Sequence, residues 1–192
     1  MQKENKSVII VFYGASVTTQ EAETLKEGEL LTGLDSAHWT ATEDMYVMRH
    51  SPEGQLFFIR PNTFYSTDNK SEFLFDITHL NTTDTASIKM TVYETTLINV
   101  DSVAILCDGK RFTCNTVASI YKEKEKKTWL HRCDCVFPFK EVKLAMIADQ
   151  APTFVVYTNK STLSYTLVAN KWAKLQPHLC DIFMIIDESK RK

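Results

Sequence analysis

The chain has 192 residues, of which 44% are hydrophobic and 24% charged, and these values are typical of a globular domain with a sizeable core. Its 22 basic and 24 acidic residues give a formal net charge of -2, so the chain has no overall positive field that would attract the phosphates of nucleic acid or an anionic membrane. We therefore expect one domain over residues 1–192 and no nucleic-acid partner.

The first 35 residues contain a short apolar run, residues 8–15. About 20 apolar residues are needed to cross a bilayer, so we expect no membrane span. The polar stretch that follows offers no cleavage site for a signal peptide, and we interpret residues 7–13 as a buried strand. The spacing of Thr18 and Glu21 matches a capping box and predicts a short helix through residue 31.

Antiparallel pairs of strands are predicted from residue 45 onwards. Residues 45–50 and 55–60 flank a turn with Pro52 at its second position and Gly54 at its fourth, which indicates a hairpin. Two segments with alternating apolar residues follow, over residues 72–78 and 87–93. These patterns are typical of strands that bury one face.

Two further hairpins are predicted between residues 103 and 136. Asp108 and Gly109 favour the positive φ angles of a two-residue turn that joins residues 103–107 to residues 110–114. The charge run of residues 122–127 separates two more strands. Because lysine and glutamate alternate along most of the run and its two glutamates offset part of the charge of its four lysines, we interpret the run as a solvated hairpin tip.

The remaining elements are two strands and two helices. Pro138 can open a helix that reaches about residue 149, and strands are predicted near residues 154–158 and 162–168. The last segment has an apolar stripe at helical spacing, and Pro177 should kink or divide that helix. The stripe consists of Trp172, Leu179, Ile182, Phe183 and Ile186, together with Leu175.

These elements predict a β-rich α+β fold. We expect an antiparallel sheet or sandwich with one or two packed helices, including the amphipathic helix at the C-terminus. A sub-unit boundary near residues 97–102 is an alternative arrangement within the single domain.

A metal site is one hypothesis that the sequence raises. His131, Cys133 and Cys135 alternate along one strand, so their side chains share a face, and soft N/S ligands of this kind suit zinc or copper. Ligands two residues apart on an extended strand diverge, however, and aromatic neighbours favour a buried face on which cysteine acts as a small apolar residue. We prefer the second interpretation and expect no metal and no cofactor.

Cys107 and Cys114 flank the turn at Asp108. A cross-strand disulfide between them would require an oxidising compartment, and two free buried thiols fit the same pattern.

Residues 11–18 form an apolar strand that ends in a small-residue turn with Ser16, and Asp76 and His79 have Asp-x-x-His spacing. These two segments resemble the first and last blocks of the SGNH hydrolases. The resemblance implies that Ser16 is the nucleophile and that His79, with Asp76, is its base. The alternative is that Ser16 ends a strand and His79 lies in a turn.

Of these functional hypotheses we favour a non-catalytic role. Threonine-rich, half-polar strands and hairpins build stable surfaces, and the sequence shows no titratable cluster that would perform a reaction. We expect a binding or structural module, in the cell envelope, with a protein or a glycan as its partner. An extracytoplasmic location is preferred to a cytoplasmic one, and an SGNH-like serine hydrolase is the alternative function.

Overall fold

The computed structural model describes residues 36–66 and 71–191. The strand predicted at residues 7–13 and the helix predicted from Thr18 lie outside these residues. The described elements are α1 (Ser36–Glu43), β1 (Tyr46–Ser51), β2 (Gly54–Ser66), β3 (Glu72–Leu80), β4 (Thr85–Glu94), β5 (Val100–Cys107), β6 (Lys110–Cys114), β7 (Val117–Glu125), β8 (Thr128–Pro138), α2 (Phe139–Met146), β9 (Thr153–Thr158), β10 (Thr162–Thr166) and α3 (Ala169–Ser189).

The ten described strands form one antiparallel sheet. Nine of them follow the order β6-β5-β9-β10-β2-β3-β4-β8-β7, and β1 pairs with β2 beside this path. Strands from before and after residues 97–102 are joined in the same sheet. The predicted class, a β-rich α+β fold with an antiparallel sheet and a C-terminal helix, is confirmed.

The predicted turns form where their residues allow unusual backbone angles. Asp108 and Gly109 have φ angles of 46° and 72°, so the β5–β6 turn takes the left-handed conformation that this pair favours. The β1–β2 hairpin closes with Ser51 opposite Gly54. Both hairpin predictions are confirmed.

The hairpin tip predicted over the charge run of residues 122–127 is shorter than expected, so its predicted length was wrong. β7 continues to Glu125 and β8 begins at Thr128, so only Lys126 and Lys127 form the turn. Alternating lysine and glutamate can continue a strand here because β7 is exposed on both faces from Ala118 onwards.

The core lies between one face of the sheet and the helices α2 and α3. Alternate residues of β3 are buried, and the apolar stripe of α3 belongs to the same hydrophobic cluster. The α3 helix continues through Pro177, so of the two predicted effects of this proline, a kink or a division, the division was wrong and the kink stays a prediction. Buried residues on both sides of the proline, Trp172 and Leu179, hold the two halves against one core.

Polar side-chain contacts attach α1 to α3. His38 Nε2 lies 2.6 Å from Asp181 Oδ2, and Thr42 Oγ1 lies 2.7 Å from His178 Nδ1. The rings of His38 and His178 stack with their centroids 4.3 Å apart. Among the described residues, no helix combines the length and the apolar character needed to cross a membrane.

Candidate binding site

A cavity of about 60 Å³ lies where the two ends of the sheet meet. β5 and β6 stand at one end of the strand order and β8 and β7 at the other, yet β5 contacts β7 and β6 contacts β8. The sheet therefore curls until its ends face each other. The polar and sulfur-bearing residues that line the cavity are Asn99, Ser119, Lys122, His131 and Cys133.

A β-bulge in β7 decides which side chains reach the cavity. Ser119 pairs with Cys133 and Lys122 pairs with His131, although a regular strand would place Ser119 and Lys122 on opposite faces. The register shifts between Ser119 and Tyr121, so Ile120 is the extra residue. A bulge of this kind re-aims the side chains that follow it, and here it brings Lys122 to the face of Ser119.

His131 is fully buried on the core-facing side of β8. Neither of its ring nitrogens has a hydrogen-bond partner among the described residues. Burial lowers the pKa of His131, the backbone of Thr96 raises it, and the charge of Lys122 lowers it. Thr96 lies close to the ring without meeting the geometry of a hydrogen bond. The imidazole is therefore neutral at pH 7, with one ring nitrogen as a donor and the other as an acceptor, and it lines a polar cavity.

The other polar groups of the cavity are mostly donors. Lys122 Nζ donates a hydrogen bond of 2.5 Å to Asn99 Oδ1, and the Ser119 hydroxyl lines the same cavity. Burial raises the pKa of the Cys133 thiol, against the opposing effect of Lys122 and Arg132, so the sulfur stays protonated and is a weak nucleophile at neutral pH. No carboxylate lines the cavity within the described part of the chain. The arrangement is suited to holding a small anion.

The structure places the three residues of the metal hypothesis on one buried face of β8. His131, Cys133 and Cys135 are all buried, as the alternation predicted. Within residues 36–66 and 71–191, however, no group of three or more histidine, cysteine, aspartate or glutamate side chains could hold a metal ion. The three residues share a face without converging on one point.

Cys107 and Cys114 are not brought together. Cys107 pairs with Lys110 beside the turn, whereas Cys114 pairs with Val103 at the far end of the hairpin. At roughly 3.3 Å per residue, the two cysteines are on the order of 13 Å apart along the strands, and a disulfide needs Cα atoms within about 7 Å. Both thiols are free in the structure.

The residues of the hydrolase resemblance are also separated. Ser16 lies outside the described residues. His79 belongs to β3, so its predicted position in a turn was wrong, and it faces the core while Asp76 lies on the opposite face. Asp76 accepts a hydrogen bond from Arg132, and His79 Nδ1 donates to the carbonyl oxygen of Thr85 at 2.8 Å. Asp76 therefore does not orient His79.

Asn99, Ser119 and Lys122 were not identified from the sequence. Lys122 was assigned to a solvated charge run, and the other two belong to no motif. Their common property is a shared cavity, which the bulge at Ile120 and the contact between β5 and β7 create. The only signal for these residues in the local sequence was a break in the alternation of side-chain type within β7.

Comparisons of the chain with protein-family models, with curated proteins and with solved structures found no match.

Proposed function

We propose that this domain is a non-catalytic binding module that accepts a carboxylate group of a protein partner in the cavity beside His131. The proposal rests on one observation: the fully buried imidazole lines a cavity while both of its nitrogens lack a partner among the described residues. Leaving a buried polar group unsatisfied costs about 1–3 kcal/mol. A bound group that supplies a hydrogen bond would offset this cost.

Charge and size favour a carboxylate as the bound group. Lys122 supplies a positive charge, while Ser119 and one ring nitrogen of His131 supply further donors. Hydrogen bonds that involve a charged group are the strong ones, and a carboxylate can accept several. A group the size of a water molecule needs about 15 Å³ of this cavity, so the cavity holds about four of them. Acetate has the same number of non-hydrogen atoms.

The surroundings of the cavity favour a protein over a glycan. Leu97 and Ile120 are 46% and 48% exposed, and they are close in sequence to the lining residues Asn99 and Ser119. Exposed aliphatic side chains gain free energy when they are buried against apolar side chains, which a protein surface offers more readily than the hydroxyl groups of a glycan. The extracytoplasmic location in the cell envelope stays a prediction.

Titration of the protein with acetate tests the proposal. We expect the side-chain NMR signals of His131 to shift in a saturable manner, and the pKa of His131 to rise because a nearby anion stabilises the imidazolium. Lys122→Met should weaken acetate binding about tenfold or more, since it removes a charge-assisted hydrogen bond.

Lys124→Met is the matched control. It removes the same charge from the same strand, but Lys124 stands over the ring of Trp129 and does not line the cavity. An equal loss of binding in both variants, or binding of uncharged acetamide as strong as that of acetate, would contradict the proposed site.

The kind of partner is tested with two carboxylates of similar charge. A short peptide that ends in glutamate should bind more tightly than glucuronate, because only the peptide offers apolar contacts to Leu97 and Ile120. Tighter binding of glucuronate would indicate that the site binds acidic glycans and would overturn the assignment to a protein partner.

A further inference from the structure

The second contact between the two ends of the sheet, β6 against β8, brings two cysteines together. Cys114 is the last residue of β6, and Cys135 lies within β8. Both are buried, and both are free thiols. Cys114 Sγ donates to the carbonyl oxygen of Thr116 at 3.2 Å, and the Cys114 thiol lies close enough to Cys135 to contribute to the raised pKa of the Cys135 thiol.

The register of the neighbouring strands explains this proximity. β7 begins at Val117, and Val117 is the direct partner of Cys135 on β8. Only two residues separate Cys114 from Val117, so the chain turns from β6 into β7 directly beside Cys135. The close approach of the two thiols is thus a consequence of how β6, β7 and β8 meet.

We propose that Cys114 and Cys135 form a disulfide that covalently joins the two ends of the sheet. In the reaction, the two thiols lose two protons and two electrons and form one S–S bond. A small-molecule disulfide such as oxidised glutathione accepts the electrons and leaves as two glutathione thiols, through a mixed disulfide with one of the cysteines.

The neighbouring cysteines do not offer the same pairing. Cys107 lies at the opposite end of the β5–β6 hairpin from Cys114. Cys133 is two residues from Cys135 on the same strand face, and an extended backbone holds such side chains apart. Cys180 is on α3 and accepts a hydrogen bond from Gln176.

The bond would act next to the candidate binding site. Val117, which pairs with Cys135, and Cys133, two residues away, both line the cavity. Formation of the disulfide would therefore stiffen one wall of the cavity. The inference does not depend on the proposed function, because it concerns the sulfur atoms alone.

The test is oxidative refolding of the full-length protein in a mixture of reduced and oxidised glutathione. Burial raises the pKa of the Cys135 thiol, so exchange in the folded state is slow and refolding gives the thiols access to the oxidant. We expect two of the five thiols to be lost, and peptide mapping to identify a link between Cys114 and Cys135. The midpoint of thermal unfolding should rise by about 5–10 °C relative to the reduced protein.

Two variants make the outcome specific. Cys114→Ser should keep all its remaining thiols free after the same treatment, whereas Cys107→Ser should still lose two. A mapped link from Cys107 or Cys133, or recovery of five free thiols in the refolded protein, would overturn the proposal. Peptide mapping of the unmodified chain gives the answer even where a variant fails to fold.

Discussion

Lys122 on β7 stands directly opposite His131 on β8, and both side chains line one cavity. The first residue is exposed at the edge of the sheet, and the second is fully buried. A neutral imidazole beside an ammonium group can bind a group that accepts hydrogen bonds. The bulge at Ile120 places the two residues together. The pair therefore depends on an irregularity of one strand.

The first prediction concerns the stability cost of His131. Replacement by leucine, which has a similar volume, should leave the free energy of unfolding unchanged or raise it by up to about 1 kcal/mol, because it removes a buried group without hydrogen-bond partners. Binding of acetate should be lost in the same variant. Urea unfolding and NMR titration measure the two effects.

Thr42→Val is the control for this prediction. Thr42 is as buried as His131, but its hydroxyl donates to His38 O and contacts His178 Nδ1. The valine variant should lose about 1–2 kcal/mol, because partners that were satisfied lose their hydrogen bonds. If His131→Leu destabilises the protein as much as Thr42→Val does, the imidazole has structural partners and the case for a ligand at His131 fails.

The second prediction concerns stability in acid. Burial against Phe139 lowers the pKa of His79 to about 4, against opposing effects from the Thr85 carbonyl, Asp187 and Asp84 and with a further lowering by Lys190. Between pH 6.5 and 4 the unfolded state binds more protons than the folded state at this residue, so stability falls as the pH is lowered through this range. The loss is at most about 3 kcal/mol.

His79→Asn removes this titration and keeps a donor for Thr85. We expect its free energy of unfolding to fall less than that of the unmodified protein between pH 7 and 4.5, as measured by urea unfolding. Burial also lowers the pKa of His131 and of His178, so part of the acid sensitivity should remain in the variant. Parallel pH profiles for the two proteins would show that His79 is not a source of the effect.

The third prediction concerns the ion pair of Asp76 and Arg132 on the face opposite the core. Their side chains are 19% and 18% exposed, and Arg132 also donates to Thr91 Oγ1 at 3.1 Å. Asp76→Asn should lower the free energy of unfolding by about 1–3 kcal/mol, because it leaves a partly buried guanidinium without its counter-charge. Binding of acetate should not change, since neither residue lines the cavity.

Glu188→Gln serves as the comparison for Asp76→Asn. The Arg191–Glu188 pair is exposed to solvent, so its loss should change the stability by less than about 1 kcal/mol. Equal effects of the two variants in urea unfolding would contradict the structural role assigned to Asp76.

Local chemistry was sufficient to predict most of the elements. The alternation of Phe73, Phe75 and Ile77 indicates a strand with one buried face, and the structure buries all three residues. Asp108 and Gly109 select a tight turn by themselves, since few other pairs tolerate positive φ at both positions. The helix α1 was not predicted, and it is held by contacts with α3 that are distant in the sequence.

The sequence alone determined which segments are strands, which faces of them avoid water, and that an amphipathic helix covers the sheet. These properties follow from the type of side chain that recurs every two residues in a strand or about every 3.6 residues in a helix. Both patterns are local in the sequence. Only the tertiary structure decided that Lys122 meets His131 and that Cys114 meets Cys135. Such contacts depend on the strand order, on the bulge at Ile120 and on the curl of the sheet, and these result from the packing of the whole core.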